Sequence, residues 1–444
     1  MFLISNATSQ TTYVPDDNFE QTLINLGYDN PPLDNYVPTA NIENIFTLDL
    51  SSLGILDLTG IEDFSSLQIL MCSSNNLTTV DLSQNVNLRE INFNINSLSQ
   101  LDISHNTQLT ELGCQSNNLS FLDLTNNILL EAIFLSDNSL STITLNHLPA
   151  LKYLYLSNNL LSTINIRENP QLELLALSSN TLTELDTSQN LSLRGIGVAN
   201  NLLTHLNVFS NVNLESLTCS SNYINQFDFS NNSELTSLQI SRNNLTTLDI
   251  SQNTQLVQLL CSINHIEVID FTNNNLLEFV GLSDNQLQAA DFSNNPSLKI
   301  LNISENSLEF LNVKNGYNLN IIDFYAFNNP TLDCIEVDDP IYSEANWPDV
   351  DPHVVFSEDC NPLGTIDNEI DNLTIYPNPF IDEIFMETDH PVSSIEILNV
   401  LGVRVYKSDT IVNSINLSGL SQGVYILKAT FKNRMNLVTR IVKN

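Results

Sequence analysis

The chain has 444 residues, and its 51 acidic against 14 basic side chains leave a formal net charge of −37 at pH 7. So few basic groups, scattered along the sequence, cannot neutralise a phosphate track, which excludes nucleic acid and disfavours an anionic membrane surface as partner. No apolar run is long enough to cross a bilayer, so no transmembrane segment is expected.

In chain order, Met1-Phe2-Leu3-Ile4-Ser5-Asn6-Ala7 reads as the tail of a secretory leader, without the basic start of a whole one, and residues 1–10 are taken as its remnant. Residues 11–44 are expected to cap the fold. Within them Pro15-Asp16-Asp17 followed by Phe19, Leu23 and Leu26, ending at Gly27, spells a short amphipathic helix. Residues 29–39, with three prolines, read as a loop. A 22-residue unit then opens at Ile45 (Ile45, Leu48, Leu50, Leu53, Leu58).

Over residues 67–319 a leucine returns every 21 residues, thirteen times without an insertion. Counting that leucine as column zero, columns three and five are apolar around a variable residue, as in Leu70 and Cys72 or Ile133 and Leu135. This alternation marks a short strand with one buried face. Column eight is asparagine in all twelve complete units, from Asn75 to Asn306. An amide both donates and accepts, so a stacked column can bond the backbone of the coils above and below. Columns thirteen and fifteen repeat the apolar alternation and column eighteen is asparagine in ten of twelve units. The period therefore predicts a solenoid over residues 45–330, with two parallel sheets of short strands and almost no helix between residues 67 and 318. The unit LxxLxLxxNxLxxLDLSxNxx resembles the leucine-rich repeat in a 21-residue nested form. That resemblance implies a curved parallel-β solenoid whose first strand row lines a concave binding face.

Towards the end of the array column eight becomes Phe327, and the asparagines slip to Asn328 and Asn329. Residues 331–361, holding Trp347, are read as the C-terminal cap. Cys72, Cys114, Cys219 and Cys261 all occupy inward column five, the nearest pairs two coils apart. At ~4.8 Å per coil those pairs are ~9.6 Å apart, beyond the ~7 Å reach of a disulfide, so they are expected to be free, buried and inert. Cys334 and Cys360 stand outside that register and are expected to form a bridge, which places the protein in an oxidising compartment.

After a linker at residues 362–371 the pattern changes to alternating strands and glycine or asparagine turns, read as a small immunoglobulin-like β-sandwich over residues 372–444. Seven of the fourteen basic residues lie beyond Val403. The run Tyr376-Pro377-Asn378-Pro379, the Leu401-Gly402-Val403-Arg404-Val405-Tyr406 strand, the turn carrying Gly423 and Tyr425, and the basic end at Lys443 resemble the C-terminal sorting domain of type IX secretion cargo. The resemblance implies that residues 372–444 engage that secretion machinery. Passage through the periplasm would then lead to release or attachment at the cell surface.

The search for chemistry finds no nucleophile elbow, zinc-binding helix, P-loop or dinucleotide turn, and no cofactor is implied. Two constellations stand out. On the predicted concave face Phe134, Tyr153 and Tyr155 form an aromatic cluster flanked by small residues such as Gly113, suited to stacking a sugar ring or a partner side chain. On the second row Asp228, Asp249, Asp270 and Asp291 continue an acidic column begun by Asp81, Asp102, Asp123 and Asp186. Calcium could bridge such a ladder, or neighbouring hydroxyls and solvent could screen it. The reading is a non-enzymatic secreted or cell-surface protein that recognises protein or glycan in adhesion. Open alternatives are a structural surface coat and, through the serine row at column six, an ice-binding solenoid.

Overall fold

Each coil of the periodic stretch lays down one three-residue strand, because its column-three apolar side chain is buried between two outward-facing neighbours. In the computed structural model the described residues are 10–360, 373–388, 392–400, 402–408, 414–431 and 436–444. The expected leader remnant up to residue 9, the linker at 362–371 and Leu401 lie outside them.

The first of two compact units runs to Phe227 and adds Asn231–Asn243. It opens with β1 (Thr11–Tyr13), α1 (Asp17–Asn25), β2 (Tyr36–Pro38) and one helical turn, α2 (Thr39–Ile42). The helix forms where expected: Asp16 Oδ1 accepts from the Asn18 and Phe19 amides at 3.0 Å, and Gly27 takes a left-handed φ of 80° just past the end. The buried Phe19 ring stacks on Phe64 at 6.1 Å, which seats the helix on the first coil. The loop reading of residues 29–39 is corrected at its far end, where β2 pairs antiparallel with β1.

The same unit then carries parallel strands β3 (Thr47–Asp49), β4 (Ile69–Met71), β5 (Glu90–Asn92), β6 (Glu111–Gly113) and β7 (Ala132–Phe134). They continue as β8 (Tyr153–Tyr155), β9 (Leu174–Ala176), β10 (Gly195–Gly197), β11 (Ser216–Thr218) and β12 (Ser237–Gln239). Register follows the period: Leu48 faces Leu70 across the 22-residue first unit, then Ile91 faces Leu112 and Ile196 faces Leu217.

The second unit takes Asp228–Ser230 and Asn244 onward. Its strands are β13 (Gln258–Leu260), β14 (Phe279–Gly281), β15 (Ala289–Asp291), β16 (Ile300–Asn302), β17 (Phe310–Asn312), β18 (Asp323–Tyr325), β19 (Cys334–Glu336) and β20 (Val355–Ser357), with α3 (Pro340–Asn346) between the last two. Strands β13, β14, β16 and β18 form one parallel sheet, and β15, β17, β19 and β20 a second. The expected second row of strands is thus realised over these four. In the first unit the second-half columns keep their alternation, as in buried Leu101 and Ile103 around exposed Asp102, with one isolated bridge between Asp186 and Asn207. Alternating burial marks which side chains face inward; a ladder also needs the neighbouring backbones within hydrogen-bond reach. Among the described residues no α-helix lies between 67 and 318.

The two asparagine columns do different work. Asn180 accepts from Leu161 N through Oδ1 at 2.9 Å, while its Nδ2 donates to Leu156 O at 2.9 Å and Leu177 O at 3.0 Å. The amide therefore serves its own coil and the preceding one, rather than the coils on both sides. Column eighteen is mainly a donor: fully buried Asn190 donates to Ile166 O and Asn169 O, both at 2.8 Å, and its Oδ1 has no partner. In Asn211 the corresponding oxygen accepts from Thr187 Oγ1 at 2.7 Å.

Column seven holds a left-handed backbone in every coil from Ser74 to Asn328, with φ between 53° and 58° and no glycine among them. Serine, aspartate and asparagine tolerate it, but Ile95 and Ile263 are β-branched. Ile95 is 58% exposed, so little burial is lost by replacing it. Ile95→Asn is expected to raise stability by about 1 kcal/mol, read as a higher urea midpoint; an unchanged or lower midpoint contradicts it.

At the far end the register is corrected. Leu301 faces Phe324, 23 residues on, so two extra residues enter the coil. Leu319, the last member of the sequence column, is 66% exposed, and Ile321 fills the inward place at 1%. Column eight does not decay. Asn329 accepts from Leu308 N at 3.2 Å and donates to Ile303 O at 3.1 Å, as its predecessors do. Beyond it, Asp351 accepts from Asn328 N at 2.9 Å and Asn329 N at 2.6 Å, and buried Trp347 stacks on Phe324 at 4.3 Å. Cys334 and Cys360 form the expected bridge, their Cα atoms 5.7 Å apart.

The remaining strands are β21 (Leu373–Tyr376), β22 (Glu383–Thr388), β23 (Val392–Asn399), β24 (Arg404–Ser408), β25 (Ser414–Asn416), β26 (Gly423–Phe431) and β27 (Asn436–Lys443). They make two antiparallel sheets, β21-β22-β25 and β24-β23-β26-β27, around a shared core of Phe380, Ile384, Ile395, Ile397 and Leu427. The result is a small β domain after a mainly β, leucine-rich-repeat parallel solenoid.

A candidate binding face on the parallel sheet

Because side chains alternate along a strand, columns two and four of every coil point out of the same sheet face. Down column four from β5 to β8 the residues are Asn92, Gly113, Phe134 and Tyr155, and each is the strand partner of the next. The Phe134 and Tyr155 rings lie 5.1 Å apart at 30°, so the sheet brings together two of the three aromatic residues singled out above. Tyr153 shares the face, on column two between Ala132 and Leu174. On the other side of Phe134, Gly113 has no side chain, and a hollow of about 380 Å³ opens there.

Four polar residues that sequence reading missed line that hollow: Asn92, Asn94, Glu111 and Gln115. Asn92 Oδ1 accepts from Asn94 N at 3.0 Å, and Asn94 Oδ1 from Gln115 N at 2.7 Å. Both amides are thereby fixed with their Nδ2 donors uncommitted among the described residues. Burial, then the neighbouring Glu90 carboxylate, pushes the Glu111 carboxyl above its ordinary range. The signal available in the sequence was the glycine directly before an aromatic in column four.

The acidic column has a local role. Asp228, Asp249, Asp270 and Asp291 each accept through Oδ1 from the backbone amide two residues on, at 3.0, 2.9, 2.9 and 2.9 Å. The Ser230 hydroxyl and amide hold the Asp228 carboxyl below its usual range. Among the described residues no three acidic, histidine or cysteine side chains converge on a point where a metal ion could sit. Cys72, Cys114, Cys219 and Cys261 are free and buried, and burial pushes the Cys72 and Cys114 thiols up to about 12, which leaves them unreactive as nucleophiles.

In the C-terminal domain the sorting-motif residues are largely structural. Asn378, in the turn that holds Pro377 and Pro379, donates to Arg440 O and accepts from Val442 N, both at 2.8 Å, tying the last strand. Lys443 is buried with its Nζ 2.7 Å from Leu417 O and 5.9 Å above the Phe380 ring, and the Tyr425 hydroxyl donates to Ser421 O at 2.8 Å. Gly402 and Gly423 take positive φ values of 71° and 152°. Tyr376 is 46% exposed and stacks on Phe385 at 5.9 Å.

Comparison with known proteins agrees with both parts. Residues 374–444 match the secretion system C-terminal sorting domain. Internalin J of Listeria monocytogenes serotype 4b (strain F2365) is 36% identical over 73 residues, a stretch that covers 16% of this chain and 8% of internalin J. The functional domain of Listeria monocytogenes InlJ, which includes a cysteine ladder, superposes with a TM-score of 0.70 at 26% identity, covering 98% of this chain and 99% of that one. Listeria monocytogenes InlF shares the fold with a TM-score of 0.60 at 20% identity, covering 76% of this chain and 96% of that one. The chain is a leucine-rich repeat protein carrying a C-terminal type IX sorting domain, which indicates export to the extracellular or outer-membrane surface.

Proposed function

We propose that the exported protein is a non-enzymatic binding module that recognises a protein or glycan through the outward face of β5 to β9. The observation that carries this is the half-buried Phe134 and Tyr155 pair, held on a rigid strand row beside a polar hollow. Similarity to internalin-type leucine-rich repeat proteins supports a protein ligand. An array of extracellular proteins and glycans, probed with the full chain and with a Phe134→Ala, Tyr153→Ala, Tyr155→Ala variant, tests it. Ligands held by the wild type and lost by a variant of unchanged circular dichroism support the reading. Equal retention by both would favour a structural coat.

The same proposal assigns residues 11–44 and 331–361 as end caps of the 45–330 solenoid. Residues 372–444 are the part that engages the type IX machinery. Deleting residues 372–444 is expected to leave the protein in the periplasm; undiminished secretion of the shortened chain would refute that role.

A further inference from the structure

We infer that the hollow over Gly113 is a subsite for one neutral pyranose ring of a glycan. The inference rests on the binding-face reading above and narrows it to a chemical class. Phe134 has Tyr155 beside it in one direction along column four and Gly113, with no side chain, in the other, so the part of its ring away from Tyr155 borders the open space. An aromatic face offers the apolar platform that a sugar ring's axial C–H groups pack on. Asn92, Asn94, Glu111, Gln115 and Tyr155 line the hollow, and the Asn92 and Asn94 Nδ2 groups, the Gln115 side-chain amide, the Glu111 carboxylate and the Tyr155 hydroxyl have no hydrogen-bond partners among the described residues. That set mixes donors with acceptors, which is what vicinal hydroxyls demand, since each hydroxyl both gives and takes a bond.

Charge narrows the class further. No lysine or arginine lines the hollow, and Glu90 and Glu111 sit together on column two, so an anionic sugar would be repelled. A lysine or arginine side chain from a peptide is the competing occupant, because one carboxylate and two rings could hold a cation. The rings, however, lie side by side at 30° rather than enclosing a point, and the uncommitted Nδ2 donors of Asn92 and Asn94 have no use in a cation site.

Gly113 is the specificity-determining position. A Cβ there would come within 3.3 Å of Asn94 Oδ1, so a side chain enters the hollow and crowds that amide. Its φ is not left-handed, and a β-branched residue suits an extended strand.

The test uses the full chain against immobilised neutral oligosaccharides of glucose, mannose, galactose and N-acetylglucosamine, with uronate oligomers and oligolysine peptides alongside. The wild type is expected to retain at least one neutral oligosaccharide and no uronate. Gly113→Val should weaken that binding about tenfold or more, and Thr218→Ala, on β11 of the same sheet and outside β5 to β9, by no more than about twofold. Circular dichroism and the unfolding midpoint establish that Gly113→Val is folded; should it not be, Gln115→Ala takes its place with the same expected loss. Failure to retain any neutral oligosaccharide, equal retention by Gly113→Val, or oligolysine binding abolished by Gly113→Val would each overturn the subsite. A protein ligand lost only in the triple alanine variant would sink this inference and leave the broader binding-face reading standing.

Discussion

Asn180→Asp is expected to destabilise the solenoid by about 3–5 kcal/mol near neutral pH. The substitution changes almost no volume, so packing is not the cause. Asparagine at this position donates to Leu156 O and Leu177 O and accepts from Leu161 N. A carboxylate keeps the acceptor, loses both donors, and places a buried negative charge against two carbonyl oxygens that already carry partial negative charge. The pH dependence follows from linkage. Burial raises the folded pKa of the new carboxyl above its unfolded value of about 4. The folded state then binds more protons, so the variant loses stability as pH rises above that value and is least handicapped in acid. The same exchange at Asn165 is the control. There the side chain is exposed and accepts from Arg167 N at 3.2 Å, in the column where other coils carry aspartate. Asn165→Asp should change stability by less than about 0.5 kcal/mol. Urea unfolding and amide exchange at Leu161 check both; equal behaviour of the two variants would show that column eight is not holding the coils together.

Opening the Cys334–Cys360 bridge is expected to cost about 3–4 kcal/mol, the loop-closure value for a separation of 26 residues. The cost should fall on the cap. Cys334 begins β19 and Cys360 follows β20, so the bridge closes the segment that carries α3 and the Trp347 stack. Without it, Asp351 is less firmly held against Asn328 and Asn329, and the last coil loses the acceptors that stand in for a following coil. A Cys334→Ser, Cys360→Ser variant should be cut by protease within residues 337–357 under conditions where the oxidised protein resists. Reductant should bring the wild type to the same behaviour. Equal resistance of oxidised and reduced protein would show that the cap stands without its bridge.

The repeat was legible because one residue type in one column did the same job every time. The first twelve column-zero leucines, the column-eight amides and the free column-five cysteines could be placed by counting alone. Counting failed where chain was inserted: with two more residues before β18, Leu319 falls outward and Ile321 inward, which no fixed period can show. It also failed where a property belongs to the backbone. The left-handed column seven is occupied by serine, asparagine, arginine and isoleucine alike, so nothing in residue type announced it. Most of the second row of strands was over-read for a related reason, since alternating apolar residues report burial and say nothing about distance to the next strand. The candidate site was half visible. Its aromatic residues stood out, whereas Asn92, Asn94, Glu111 and Gln115 matter only because Gly113 leaves room between them.

The one-way reach of the column-eight amide has a consequence for how such a chain can change. Every regular junction is the same handshake, offered by a later coil to an earlier one, so cutting out or duplicating 21 residues between two regular coils rejoins surfaces that already fit. Only the two ends are bespoke: Asp16, which accepts from Leu56 N at 2.7 Å, and Asp351 at the other margin. The number of coils is therefore free to drift while both termini stay fixed, and a ligand site two or three coils wide can be carried along intact.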